Sequence, residues 1–276
     1  MPELPEVELV AKSLNKIVKG RRIVTAELLR ERLAPENSPI DFAAKLKNAS
    51  IRRVHRRGKH VLFDLDNDRT LIAHLRMSGR FLLLPAEREN PKFTHAVFYF
   101  EDENRLIFSD QRHFGLMKIV ETAELAEARE IKKLAPEPFS DDFNKKYFRA
   151  TLKTSKKSLK EFLLDQTKVV GLGNIYAAEA MFLARVNPQI AADKLSVKKA
   201  DVLFEKIREV LAESIECGST LNVNPENIDG SYYGGGYELG WRVYDREKNP
   251  CAECETPIER IKQAGRSSYF CPKCQK

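Results

Sequence analysis

The feature that most constrains this chain lies at its end. Cys251-x2-Cys254 is followed, after 16 residues, by Cys271-x2-Cys274. This is the spacing of a tetrahedral four-thiolate zinc site, in which each Cys-x2-Cys forms a tight knuckle and the residues between can pair as a hairpin. A segment this short has too little apolar surface for a core of its own, so one structural zinc is expected to fold it. Four of the five cysteines fall here and only Cys217 stands apart. In a cytosolic setting such clustering favours metal over disulfides. On the far strand of the hairpin, Arg266 stands between Gly265 and Ser267, placed either to reach a phosphate or simply to face solvent.

Upstream, the chain changes character twice. Residues 5 to 18 read as a helix, because Val7, Val10, Leu14, Ile17 and Val18 recur at three- and four-residue spacing, with Pro5 in the first turn and Gly20 at the exit. From Arg22 to Ile119 short β-type runs follow at 23–29, 51–55, 60–65, 70–75, 94–100 and 105–108, with Asn67, Asp68, Gly79, Pro91 and Asn104 in the turns. A sandwich or barrel is the natural reading. Beyond 135–139 the signal is helical near 141–153, 156–165, 174–184 and 196–216, the last with Ser196 as its N-cap. Gly218 to Gly240 reads as a mobile loop and 241–276 as the zinc module. The expected fold is therefore α+β and multidomain, with boundaries 1–134, 135–240 and 241–276.

Lysine and arginine outnumber aspartate and glutamate by 47 to 40, and the pI is near 9.1, which admits a polyanionic partner without requiring one. No apolar run approaches the roughly 20 residues that cross a bilayer. Met1 to Glu8 carry three glutamates where a leader would be basic and then apolar. The expectation is a soluble cytoplasmic protein, monomeric and away from the membrane.

Met1-Pro2-Glu3-Leu4-Pro5-Glu6 opens the chain. Trimming of Met1 would leave a secondary amine on Pro2. An α-amino group has a pKa of roughly 7.7 to 8 against about 10.4 for lysine, so much more of it is nucleophilic at neutral pH. The positive end of the helix dipole would lower it further. Glu3 and Glu6 beside it can serve as acid or base if burial raises one of them. On these residues alone, glutamates that merely cap a first helical turn explain the pattern as well.

The rest of the chain decides the matter. Pro2 to Glu8, Arg57-Gly58-Lys59, His74-Leu75-Arg76-Met77-Ser78-Gly79, Asp110-Gln111-Arg112-His113-Phe114-Gly115, Leu134-Ala135-Pro136-Glu137-Pro138, Val170 to Ala177 and Gln263-Ala264-Gly265-Arg266 together resemble, in order, the motifs of the formamidopyrimidine-DNA glycosylase (MutM) family. The resemblance implies an N-terminal β-sandwich with an N-terminal helix, a helix-two-turn-helix domain and a C-terminal zinc hairpin. Damaged duplex DNA would lie in the cleft between them. It also implies a bifunctional glycosylase and abasic-site lyase of base-excision repair that removes oxidised purines through a Schiff base on Pro2, with β,δ-elimination. By the same resemblance Pro2, Glu3, Lys59 and Arg266 are catalytic, with Lys59, Asn174 and Arg266 gripping phosphates. Glu6 and His74 also belong to the DNA site, His74 by orienting the lysine region. Met77, Arg112 and Phe114 would fill the void left by a flipped nucleotide. Without the resemblance, Met77 reads as core, Phe114 as a buried anchor and Arg112 as a surface charge.

Two stretches depart from the family pattern. His113 stands where the family usually has arginine, so a neutral imidazole would contribute less to phosphate binding and make the contact pH-sensitive. Residues 220–241 match the lesion-capping loop only loosely, and Gly234-Gly235-Gly236 make its ordering costly. The expected order of activity is abasic site, then formamidopyrimidine, then 8-oxoguanine. Two alternatives remain: an endonuclease VIII-like enzyme for oxidised pyrimidines, and a catalytically silent zinc-ribbon DNA-binding protein.

Overall fold

The computed structural model describes residues 1–219 and 240–276. The expected loop over Gly218 to Gly240, including the three glycines at 234–236, falls almost wholly outside the described residues. The rest forms two compact units, residues 1–132 and residues 133–219 with 240–276.

In the first unit α1 (Leu4–Val18) is followed by β1 (Ile23–Leu28), α2 (Pro39–Leu46), β2 (Ile51–Arg57), β3 (His60–Leu65), β4 (Arg69–His74), β5 (Gly79–Pro85), β6 (Thr94–Phe100), β7 (Asn104–Asp110) and β8 (Leu116–Glu121). Two four-stranded antiparallel sheets result, in orders β1-β6-β7-β5 and β2-β3-β4-β8. Their facing residues share one core, in which Phe81 meets Phe63 at 5.3 Å and Phe108 at 5.1 Å between ring centroids. This is the expected sandwich. Helix α1 buries Val7, Val10, Ala11, Leu14 and Val18 in that core and packs on β2.

Three elements differ from the sequence reading. Helix α2, capped by Ser38 Oγ accepting the Asp41 amide at 3.1 Å, spans only eight residues and buries Phe42 and Leu46. Strand β8 closes the second sheet against β4. Gly79, read as a turn, is the first residue of β5, because a Cβ there would lie 2.5 Å from the Leu75 carbonyl oxygen and 2.6 Å from the Phe108 ring. Only glycine lets the strand begin at that depth.

The second unit holds α3 (Lys145–Lys153), α4 (Leu159–Leu164), α5 (Asn174–Leu183), α6 (Val197–Glu216) and the hairpin β9 (Glu259–Gln263) with β10 (Arg266–Phe270). Phe143, Phe148, Phe162 and Phe204 interlock around α3, α4 and α6. Helix α5 runs through the middle, buried on all sides from Tyr176 to Phe182, with Tyr176 Oη 2.6 Å from Ser214 Oγ of α6. The zinc module is no free tail. Val243, Ile258, Tyr269, Cys251 and Cys271 share a core with Ala178 and Phe182 of α5. Among the described residues no helix is long and apolar enough to cross a membrane.

Candidate active site and nucleic-acid interface

At the start of α1, Glu6 Oε2 accepts the Glu3 amide at 2.8 Å while Glu3 faces the Glu6 amide in turn, the reciprocal arrangement of a capping box. Pro2, Glu3 and Glu6 are all buried, Glu3 and Glu6 to 3% and 2% exposure. Both carboxylates are thereby engaged in holding the chain entry. The terminal amine, here on Met1, is held below its ordinary pKa of 8.0. Burial is the largest cause; Glu3 and Glu6 oppose it, while Lys59 and Arg112 add to it. At Met1 desolvation is thus the main cause of the lowering, whereas the sequence reading invoked the helix dipole for the Pro2 amine.

Lys59, in the β2–β3 turn after left-handed Gly58, is only 6% exposed. Two imidazoles are close to it: His60 is next in the chain, and the Lys59 charge acts on His74. His74 ends β4 opposite His60 of β3, and their rings meet edge to face at 4.7 Å. Burial drives His60 down to about 4 and, with the neighbouring His60, Arg76 and Lys59, drives His74 down to about 2. Both are neutral at physiological pH. His74 Nδ1 accepts the Arg76 amide at 3.0 Å, so its proton sits on Nε2. Of the basic run, Arg56 is consumed by Glu8 at 2.6 Å and Arg52 bonds the Asp66 carbonyl at 3.1 Å.

Met77, partly buried, rides the turn between β4 and β5, while Arg112 and Phe114 project from the loop after β7. Phe114 is 54% exposed, which excludes a buried anchor, and the Arg112 guanidinium lies 5.3 Å from its ring centroid. A buried carboxylate ties the two turns together. Asp110 Oδ1 accepts the Ser78 hydroxyl and, at 3.1 Å, the Arg112 amide; Oδ2 accepts the Gly115 amide at 2.7 Å. Burial works against its charge, yet the Ser78 hydroxyl and the amides of Gly115, Arg112 and Phe114 outweigh that and hold it below the usual carboxylate range. Gly115 is required here because a Cβ would meet the Phe108 ring at 2.7 Å.

In the second unit Asn174 opens α5 after Gly171 (φ 88°) and Gly173. Its Nδ2 donates to the Ser267 carbonyl at 3.0 Å, so it stands beside the residue that follows Arg266. Arg266 is exposed at the start of β10, presented by the two-residue turn Ala264-Gly265, both with positive φ as a type I′ hairpin demands. Buried Lys160 donates from Nζ to the Asn174 carbonyl at 3.1 Å. Fully buried Glu179 accepts the amides of Arg242, Val243 and Tyr244 at 2.9, 3.0 and 2.9 Å, clamping the zinc module to α5.

The donor atoms of Cys251, Cys254, Cys271 and Cys274 lie within 4.8 Å of one another. A tetrahedron with Zn–S of about 2.3 Å needs sulfurs about 3.8 Å apart. The four thiols fit one structural zinc, which they would bind as thiolates.

Sequence reasoning singled out every exposed or terminal member of these clusters. It missed the buried ones that hold them: His60, Asp110 as a carboxylate rather than a motif letter, Lys160 and Glu179. Asp110 alone carried a signal, being five residues before a glycine that must approach it.

Comparison with known proteins agrees along the whole chain. The formamidopyrimidine-DNA glycosylase N-terminal domain matches residues 1–117, the formamidopyrimidine-DNA glycosylase H2TH domain residues 134–224, and the zinc finger found in FPG and IleRS residues 248–276. A formamidopyrimidine-DNA glycosylase of Ligilactobacillus salivarius is 40% identical over 275 residues, covering 100% of this chain and 99% of its own. One from Listeria monocytogenes is 40% identical over 276 residues, covering 100% of both. The Lactococcus lactis Fpg in complex with DNA containing an abasic site superposes with a TM-score of 0.91 at 33% identity, covering 99% of each chain. The same protein with Fapy-dG containing DNA gives 0.91 at 34% identity, covering 99% of this chain and 100% of the other. With three domains matched in order and full-length relatives well above 30% identity, the chain belongs to the formamidopyrimidine-DNA glycosylase family of DNA repair.

Proposed function

We propose that the chain is a bifunctional enzyme that excises oxidised purines, formamidopyrimidine and 8-oxoguanine, from duplex DNA and then cuts the strand. The observation that carries this reading is the cluster at the start of the chain, where Pro2, Glu3 and Glu6 are buried together and the charge of Lys59 acts on the terminus. Once Met1 is removed, the secondary amine of Pro2 attacks C1′ of the extruded nucleotide. The N–C1′ bond forms as the glycosidic bond breaks, and the base leaves with a proton; the nitrogen then loses its own proton, the C1′–O4′ bond breaks and O4′ is protonated with the help of Glu3, so that the sugar ring opens to an iminium. The iminium so formed acidifies the C2′ hydrogens. Loss of one expels the 3′ phosphate, a second elimination expels the 5′ phosphate, and water hydrolyses the iminium to free the amine. His74 orients the Lys59 region and Glu6 holds Glu3.

Each unit brings its own phosphate contacts, Lys59 in one and Asn174 with Arg266 in the other. Met77, Arg112 and Phe114 occupy the void, with Arg112 reading the estranged cytosine. The labour divides as residues 1–134 for chemistry, 135–240 for DNA binding and 241–276 for presenting Arg266. That the Lactococcus lactis relative is known with abasic-site and Fapy-dG DNA supports the substrate class.

Borohydride should trap the protein covalently on abasic DNA through residue 2. Pro2→Gly should keep a weaker reaction because it retains a terminal amine. Glu3→Gln should lose base excision more than abasic cleavage. Peptide mapping that places the cross-link on Lys59 would reject the assignment.

A further inference from the structure

His113 departs from the family pattern, and the structure gives it a specific partner. Its Nδ1 lies 2.9 Å from Nε2 of His95, with the two ring planes only 9° apart. The two histidines differ in mobility of setting. His95, near the start of β6, is 3% exposed, and its carbonyl accepts the amides of Leu29 and Arg30 at 2.8 and 3.2 Å, which fixes its backbone. His113 is exposed on the loop between Arg112 and Phe114, in a left-handed conformation (φ 60°) that costs a side-chain-bearing residue some strain. Its amide donates to the Asp110 carbonyl at 3.2 Å, and Phe93 packs edge-on against its ring at 5.6 Å. The ring-to-ring bond is thus the polar side-chain tether between this loop residue and the sheet.

A bond between two imidazoles needs one N–H and one lone pair. It survives when both rings are neutral or when one carries a proton. It cannot survive double protonation, which sets two N–H groups and two positive charges face to face. We propose that His95 and His113 form a proton-sensitive latch that positions Arg112 and Phe114, and that double protonation releases the loop and weakens discrimination for DNA lacking a base. The charged groups acting on His95 are Arg30 and Asp110, with Arg112 adjacent to His113 in the chain. Burial lowers the His95 pKa first, Asp110 opposes it, and His113 and Arg30 add to the lowering, so the buried ring resists taking up a proton. An arginine at position 113 would have no such transition.

The proposal rests on the DNA-binding reading above, and two measurements separate them. In the free protein labelled with 15N-histidine, a through-hydrogen-bond coupling between His95 Nε2 and His113 Nδ1 should be present at pH 7.5 and lost at low pH. In binding, the ratio of affinities for a duplex with a tetrahydrofuran abasic analogue and for the undamaged duplex should fall at least five-fold from pH 7.5 to pH 5.5. The ratio cancels the general gain of positive charge. His113→Gln should flatten this dependence, because an amide oxygen accepts from His95 whether that ring is neutral or charged, and His113→Ala should be low at both pH values. Absence of the coupling at pH 7.5, a wild-type ratio that does not change, or a full fall retained in His113→Gln would each overturn the latch. A protein with no preference for the abasic analogue at pH 7.5 would instead sink the DNA reading and with it the positioning role, while the coupling alone still decides whether the latch exists.

Discussion

Replacing Glu179 by glutamine tests whether a buried carboxylate holds the zinc module in place. Oε1 takes the Val243 and Tyr244 amides, while Oε2 takes the Arg242 amide and stands 3.7 Å from the Arg242 guanidinium. An amide side chain fits the same space but turns one oxygen into a donor, and in either orientation that NH2 meets backbone N–H groups. At least one charge-assisted hydrogen bond is lost, worth about 1.5–3 kcal/mol, and an amide is left unsatisfied at about 1–3 kcal/mol. Together these sum to about 2.5–6 kcal/mol, with the half-buried Arg242 guanidinium also losing its charged partner. For a unit of this size, about 3–5 °C per kcal/mol gives a fall in Tm of roughly 8–30 °C. Glu213 provides the control. It pairs with the same guanidinium at 3.0 Å but is 39% exposed, so Glu213→Gln should cost under about 1 kcal/mol. Calorimetry of both variants, with zinc release followed by a colorimetric chelator, reads the difference. A Glu179→Gln loss no larger than that of Glu213→Gln would refute the clamp.

Three shorter expectations follow from other places in the structure. Gly79→Ala should cost about 2–3 kcal/mol in urea denaturation, because its Cβ would meet backbone at Leu75 as well as the Phe108 ring. Acid should destabilise the first unit below pH 6.5: His60 and His74 have folded pKa values beneath their unfolded ones, so the unfolded chain binds protons first. The loss should reach about 1.4 kcal/mol per histidine at pH 5.5, and a flat stability between pH 7.5 and 5.5 would contradict their burial as neutral rings. Chelation of zinc should unfold the β9–β10 hairpin and abolish duplex affinity, and Arg266→Ala should lower the slope of log affinity against log salt by about one contact; an unchanged slope would remove Arg266 from the interface.

Helix α1 was readable because its apolar spacing, Pro5 and Gly20 agree, and α6 because Ser196 caps it. The starts of α3 and α4 lie later than the apolar pattern implied. Asn144 Oδ1 accepts the Tyr147 amide at 3.0 Å and Ser158 forms a capping box with Glu161, so each cap excludes the residues before it. Strand β5 was hidden by Leu82-Leu83-Leu84, a run without alternation whose leading glycine resembled a turn. The site followed the same rule. Periodicity reports where apolar side chains are buried; the zinc ligands and the terminal motif stood out by their spacing and their order along the chain instead. Polar residues that the fold buries, such as Lys160 and Glu179, carry no periodic mark and read as surface charges.

The two units solve one problem in the same way. In the proposed function several side chains offered to DNA stand on exposed turns, and exposed turns are poorly held by packing. In the first unit Asp110 lies beneath the turns bearing Met77, Arg112 and Phe114, accepting donors from Ser78, Arg112 and Gly115. In the second, Glu179 lies beneath residues 242–244 and Asn174 bonds the strand that carries Arg266. A carboxylate is suited to this because one group can accept several convergent amides, and its burial is tolerable only when all of them are present. Such a support is cooperative, since removing one donor weakens the case for burying the charge at all. Ser78→Ala should therefore do more than delete a hydroxyl. It takes the Asp110 carboxylate's side-chain donor and the acceptor that the Arg112 amide uses at 3.0 Å. Both turns should loosen together, and a double-mutant cycle between Ser78→Ala and Asp110→Asn should show coupling above about 1 kcal/mol. Additive losses would mean that the two turns are held independently and that Asp110 is only a local cap.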